Sequence, residues 1–190
     1  MMAENMLTKG ELRKEAMRRR NSLSAEQRAK ASLAICGSIM EDDHFLDARG
    51  IHVYIPFGTE VDINPIIQLS WEMGKEVGLM RVREDGGSAQ LLITPATEYV
   101  RGRFGILEPV EEEPFDMNIC DLVIVPLLAA DEECNRIGYG KGHYDQFLLF
   151  NPCPAIGVAF EEQIFPELPV DELDVRLDTI YTQDRVITGP

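Results

Sequence analysis

The sequence predicts an α/β fold, a three-layer sandwich around a largely parallel central sheet, with helices added at the amino end. Three observations predict it. Strand-like and helix-like segments alternate along the chain. One of them, Leu122 to Leu128, is nearly all apolar, as a strand buried on both faces must be. The glycines gather in one turn between a strand and a helix, where such sheets bind ligands beyond their strand ends.

At 190 residues the chain is long enough for a sizeable core. It is expected to be one domain, 1–190, with residues 1–41 forming a helical segment packed on the α/β body. Eighteen Lys and Arg against 33 Asp and Glu give a formal net charge of -15, which repels polyanions. Nucleic acid and anionic membrane surfaces are therefore not expected as partners. The first ten residues are polar and no cleavable apolar stretch follows, so no export signal is expected. No apolar run approaches the ~18 residues of a membrane span. Cys36, Cys120, Cys134 and Cys153 form no CxxC pair and are expected as free thiols in a reducing cytoplasm.

The elements follow in order. Thr8 with Glu11, and Ser24 with Gln27, have the form of capping boxes, predicting helices to about Arg20 and about Met40. Ile51 to Pro56 is a first strand, ended by Pro56 and Gly58. Asn64 is expected to cap a helix that has Pro65 at its first position and runs to about Glu76. Strands near Gly78 to Val82 and Gln90 to Thr94 are split by the turn Asp85-Gly86-Gly87. Val100 to Pro109 is short and extended, and Glu111-Glu112-Glu113-Pro114 is an acidic loop. After the central strand Leu122 to Leu128 come the glycine turn, a helix from Tyr144 to Phe150, and strands at Ala155 to Phe160 and Thr179 to Thr182.

The glycine turn is Asn135-Arg136-Ile137-Gly138-Tyr139-Gly140-Lys141-Gly142-His143-Tyr144-Asp145. Glycines at alternate positions permit positive φ and close approach of a ligand. Successive backbone N–H groups can then converge on an anion at the positive end of the following helix. Between Phe104 and Asp178 only Arg136, Lys141 and Arg176 are basic, amid seventeen acidic residues, and two of those three cations lie in the turn. That placement suits a bound phosphate. A glycine-rich surface turn with solvated charges would read the same way, and the spacing is neither that of a Walker A loop nor of the dinucleotide fingerprint.

Further motifs accompany the turn. They are Tyr54-Ile55-Pro56-Phe57-Gly58-Thr59-Glu60-Val61-Asp62, Gly105-Ile106-Leu107-Glu108-Pro109, Ile156 to Gln163, Leu168-Pro169-Val170 and Leu177-Asp178-Thr179-Ile180, with Lys9 and Arg13 near the start. In order and spacing, over nearly the whole chain, this set resembles the 5-formyltetrahydrofolate cyclo-ligase family, also called methenyltetrahydrofolate synthetase. The resemblance implies an α/β fold related to sugar-phosphate isomerases and CoA transferases. It also implies an ATP- and magnesium-dependent ligase that closes 5-formyltetrahydrofolate to 5,10-methenyltetrahydrofolate.

By the resemblance, Lys9, Arg13, Arg136, Ile137, Gly138, Tyr139, Gly140, Lys141, Gly142, His143 and Tyr144 would contact ATP. Arg136, Lys141 and Tyr144 would serve the reaction. Ile55, Glu60, Tyr139, Gly140, Lys141, Gly142 and His143 would face the folate, and Asp145 with Asp178 would hold Mg²⁺. The expected partners are these two small molecules alone, and the chain is expected to act as a monomer.

Lys141 stands where many members have a glycine, His143 where a second aromatic is common, Cys134 at a frequent turn glycine and Ala130 at a frequent Phe. These departures bear on loop shape and pocket width. Each residue also has a plainer reading. Lys9 and Arg13 sit on a helix that also carries Lys14, Arg18, Arg19 and Arg20, and such a face is often merely solvated. Asp145 in a helix's first turn is a dipole partner worth roughly 0.3–1 kcal/mol, Asp178 could simply start a strand, and Tyr139 and Tyr144 could simply pack. A binding protein without turnover, or an isomerase or acyl transferase on a related fold, are the competing classes.

Overall fold

Two reciprocal capping boxes start the chain. Thr8 Oγ1 accepts from Glu11 N while the Glu11 carboxylate accepts from Thr8 N at 2.9 Å, opening α1 (Lys9–Ser22). Ser24 and Gln27 repeat the exchange at the head of α2 (Ala25–Met40). The computed structural model describes residues 7–83, 85–102 and 105–189. Met1 to Met6, Glu84, Arg103, Phe104 and Pro190 lie outside them, so the extended reading of Val100 to Pro109 is tested only in part.

A seven-stranded sheet follows. Its members are β1 (Gly50–Val53), β2 (Glu76–Val82), β3 (Ser88–Ile93), β6 (Cys120–Pro126), β9 (Ala155–Val158), β10 (Thr179–Tyr181) and β11 (Val186–Thr188). The spatial order is β11-β10-β9-β6-β1-β2-β3. The five inner strands are parallel, and the edges β3 and β11 are antiparallel. From β1 the chain first adds β2 on one side and later β6 on the other. The carboxyl ends of β1 and β6 are thus the switch point at which open α/β sheets bind ligands.

Alternation along β6 shows why its sequence is apolar throughout. Leu122 and Ile124 pack with α2 and α4 (Asn64–Glu72), while Val123 and Val125 pack with Phe147 and Leu148 of α5 (His143–Phe150) on the opposite face. Leu12 and Ala16 of α1 join neither core. They form a third cluster with Leu128, Ala129, Ile137, Phe165 and Leu168.

The structure corrects several boundaries. A short helix, α3 (Asp43–Asp47), capped by Asp42, lies between α2 and β1. Helix α4 starts at Asn64 and ends at Glu72; Ile63, not Asn64, holds the cap position, and Asp62 Oδ1 accepts from Asn64 N at 3.0 Å in the turn before it. Strands β4 (Tyr99–Arg101) and β5 (Leu107–Pro109) form a separate antiparallel pair. The glycine turn does not follow the central strand directly, because the hairpin β7 (Ala129–Ala130) and β8 (Arg136–Ile137) intervenes. Cys134, in the turn of that hairpin, has φ 60°, the left-handed region that favours glycine. Ala130 is fully buried in the second core, so it shapes that core and not a pocket wall. All four cysteines are free thiols, and among the described residues no helix is long and apolar enough to cross a membrane.

Candidate functional site

The inner face of α1 is built by spacing. Lys9, Arg13, Ala16 and Arg20 are separated by four, three and four residues, so they share one side of the helix. The outward arginines are occupied elsewhere: Arg18 and Arg19 both pair with Glu15, at 2.7 and 2.9 Å. Arg13 Nε donates to the Gly138 carbonyl at 2.9 Å, bringing this face onto the glycine turn. Lys9 Nζ lies 2.6 Å from Asp171 and also pairs with Asp174. Burial acts to lower its pKa, but the hydrogen bonds to those carboxylates outweigh it and hold the ammonium above its ordinary value.

The turn itself is an open row of donors. From Tyr139 to Asp145 no backbone N–H meets an acceptor among the described residues, and Gly142, at φ 69°, caps α5 with no side-chain hydrogen bond. Gly140, at φ 84°, lets the Arg13 guanidinium lie where a Cβ would be 2.9 Å from it. Lys141 is exposed and pairs with no carboxylate among the described residues. Arg136 is only 7% exposed and its Nη2 stands 2.8 Å from Asp145 Oδ1. The angle is wrong for a hydrogen bond, and both Nε and Nη2 lack a hydrogen-bond partner. Donors and cations held this way, with few acceptors opposite, suit an anion.

Beside the turn, a closed crevice with no room for a water molecule lies across the carboxyl ends of β1, β6 and β9, lined by Arg20, Tyr54, Glu60, Leu127, Val158 and Gln163 among others. The Tyr139 hydroxyl donates to Glu60 Oε1 at 2.7 Å, and Phe57 N donates to Glu60 Oε2 at 2.9 Å. Burial, then the Glu60 charge, pushes the Tyr139 phenol up to about 12, so it stays a donor. Burial, then the Glu60 charge, pushes the Tyr144 phenol up as well. Ile55 sits two residues past the end of β1, half-buried against the first core.

The two expected metal ligands hang on one stretch of chain. Asp145 Oδ1 accepts from Val175 N at 3.2 Å, and Asp178 Oδ2 accepts from Ala155 N at 2.8 Å. Each keeps its other oxygen free of hydrogen bonds among the described residues. Among the described residues no group of three or more His, Cys, Asp or Glu side chains is gathered as a cage for a metal ion. Burial pushes the Cys36 thiol up to about 12 and the Cys134 thiol up to about 11, so neither stands in for a nucleophile.

The sequence reading missed Arg20, which is 5% exposed and lines the crevice. Its signal was present in the helical spacing with Lys9 and Arg13, but was masked by the neighbouring Arg18 and Arg19.

Fold and site together define an α/β protein with a glycine turn suited to an anion, beside a crevice at the sheet's switch point. A sequence model of the 5-formyltetrahydrofolate cyclo-ligase family matches residues 5–183. The chain is 28% identical to the 5-formyltetrahydrofolate cyclo-ligase of Mus musculus, over 91% of this chain and 92% of that protein. It is 30% identical to the enzyme of the same name from Escherichia coli, over 88% and 96%. The solution structure of 5,10-methenyltetrahydrofolate synthetase from Aquifex aeolicus superposes with a TM-score of 0.85 at 32% identity, covering 96% of this chain and 93% of that one. The chain belongs to the 5-formyltetrahydrofolate cyclo-ligase family, and is a ligase.

Proposed function

We propose that the protein closes 5-formyltetrahydrofolate to 5,10-methenyltetrahydrofolate at the expense of ATP, with the triphosphate on the glycine turn and the pterin beside Glu60, in a crevice that opens to admit it. The observation that carries this placement is the run of unengaged amides from Tyr139 to Asp145, with Arg13, Arg136 and Lys141 around it. A formamide is a poor electrophile because its nitrogen donates into the carbonyl. Transfer of the γ-phosphoryl group to the formyl oxygen makes that oxygen a leaving group. The neighbouring amine of the folate then attacks the formyl carbon, loses its proton, and phosphate departs with the oxygen.

Such a reaction needs positioning and charge neutralisation, not a protein nucleophile. The turn amides, Arg13, Arg136 and Lys141 would hold phosphate oxygens, and Lys9 would join them by exchanging Asp171 and Asp174 for the nucleotide. Arg136, Lys141 and Tyr144 stand nearest the transfer in this reading. Glu60 would accept from the pterin's N–H edge, with Ile55, Tyr139, Gly142 and His143 walling the folate. Asp145 and Asp178 fit a magnesium site, because each has a free oxygen, and Mg²⁺ bound to nucleotide takes only one or two carboxylates. Bound there, Mg²⁺ would neutralise the triphosphate. The free thiols and the acidic charge support a monomer that acts in the cytoplasm on two small molecules.

The test is direct: incubate the protein with 5-formyltetrahydrofolate, ATP and Mg²⁺, and follow the near-ultraviolet band of the methenyl product. Appearance of the band only when all three are present is the expected result. Its absence with folded protein would overturn the assignment.

A further inference from the structure

Arg20 is a cation the reaction above does not use. It lies in the last turn of α1, 5% exposed, and no carboxylate pairs with it among the described residues. Its one hydrogen bond among the described residues is a long one from Nη2 to the Tyr139 hydroxyl, 3.3 Å. Its Nε and Nη1 are buried without a hydrogen-bond partner among the described residues. A desolvated guanidinium with two idle donors is costly, and folded proteins seldom leave one so. Packing alone does not explain it, since an apolar side chain of the same length would fill the space without that penalty.

The neighbours indicate what it serves. Arg20 and Glu60 line one crevice at the β1–β6 switch point, and Tyr139 touches both. A 4-oxo pterin presents three groups in a row along one edge: the 2-amino donor, the N3–H donor and the O4 acceptor. Both Glu60 oxygens already accept one bond each and have a second lone pair to offer. A carboxylate matches the two donors of that edge but leaves O4 unanswered, and facing O4 a carboxylate would repel it. The cation beside Glu60 is the missing complement. We propose that Arg20 is a substrate-binding residue whose buried N–H groups take the pterin O4 of 5-formyltetrahydrofolate, so that Arg20 and Glu60 together read the pterin edge. This rests on the pterin lying beside Glu60, as proposed above.

The experiment pairs Arg20→Met, which keeps the length and packing of the stem, with the 4-thio analogue of the substrate. That analogue keeps both donors and exchanges only O4 for a weakly accepting sulfur. The parent should bind 5-formyltetrahydrofolate about tenfold more tightly than the analogue, the value of a bond to a charged donor. Arg20→Met should bind both at the level at which the parent binds the analogue, with its KM for ATP unchanged. Equal losses on both pterins would mean that Arg20 acts only through Tyr139 and Glu60, and a loss on the ATP side would place it on phosphate. Either result, or no change at all, overturns the assignment while leaving the cyclo-ligase reading intact. A parent that binds neither pterin overturns both. Should Arg20→Met fail to fold, the parent's own preference still decides, because equal affinity for oxygen and sulfur at position 4 contradicts the proposal.

Discussion

The Tyr139 hydroxyl donates to Glu60 Oε1 at 2.7 Å, tying the glycine turn to the turn after β1 across 79 residues of chain. The bond makes one site of two loops that the sheet order brings to neighbouring strand ends. It also fixes how Glu60 is presented, because Phe57 N holds the other carboxylate oxygen.

Tyr139→Phe removes this tie together with the long bond from Arg20 Nη2, while the half-exposed ring keeps its place. Loss of a hydrogen bond to a charged acceptor should raise the KM for 5-formyltetrahydrofolate by roughly tenfold. The KM for ATP and the melting temperature should hardly move. Steady-state kinetics with each substrate varied in turn checks this, and an unchanged folate KM would return Tyr139 to a packing role.

The double substitution Lys9→Ala with Arg13→Ala tests the inner face of α1. Alanine is a strong helix former, and the Leu12 and Ala16 cluster that seats α1 is separate from both sheet cores. The protein should therefore fold as the parent does by circular dichroism. Lys9 is only partly buried with Asp171 and Asp174, so its loss should cost under about 1 kcal/mol of stability. ATP affinity should nonetheless fall by about a hundredfold or more, as two charge-assisted contacts to phosphate are lost. Nucleotide binding measured by calorimetry decides; parent-like affinity would make this helix a solvated face.

What could be read from the letters, and what could not, follows from the range of the interactions. The helix starts at Thr8 and Ser24 were legible because capping boxes span three residues. Strand β6 was legible because double burial writes an apolar run. The β7–β8 hairpin was not, because it is held from afar. Asp131, 1% exposed, accepts from Glu133 N, Asn135 N and Asn135 Nδ2 within its own turn, and also from Leu168 N at 3.0 Å, 37 residues away. In the sequence Asp131 is one acid among many. Arg20 escaped for a related reason: its type and neighbours are those of a solvated helix, and only the packing of α1 shows which arginine turns inward.

Asp145→Asn separates metal binding from helix capping, with a complication that the structure adds. Asp145 is also the partner of the nearly buried Arg136, so removing its charge affects stability as well. Breaking a buried ion pair outright costs about 3–5 kcal/mol; the amide keeps an acceptor for Val175 N, so about half of that or less is expected. Activity should drop sharply and the magnesium requirement should rise. A melting curve together with a magnesium titration reads both effects. A stability loss with unchanged magnesium dependence would make Asp145 an orienter of Arg136 alone.

Acid should weaken the fold through His52. The ring is fully buried on β1, its Nε2 bonded to Gln90 Oε1 at 2.8 Å and its centroid 4.5 Å from that of Phe147. The glutamine oxygen is an acceptor, so Nε2 carries the proton and Nδ1 is left without a partner. Burial lowers the pKa from 6.5 to about 4, against a smaller opposing effect of the Gln90 bond. Between those two values the unfolded chain binds a proton that the folded chain does not. Stability is therefore fully present above pH 6.5 and falls as the pH drops towards 4. From pH 7 to pH 5 the loss from this one residue should be about 2 kcal/mol. Glu15 and Asp121, held down to about 2 by Arg18 and Arg49 respectively, lose their contribution only at lower pH, so they do not confound this window. Urea denaturation at pH 7 and pH 5 should show the difference in the parent and most of it gone in His52→Phe, whatever that substitution does to stability at pH 7. A pH difference of the same size in both proteins would assign the acid sensitivity to some other group.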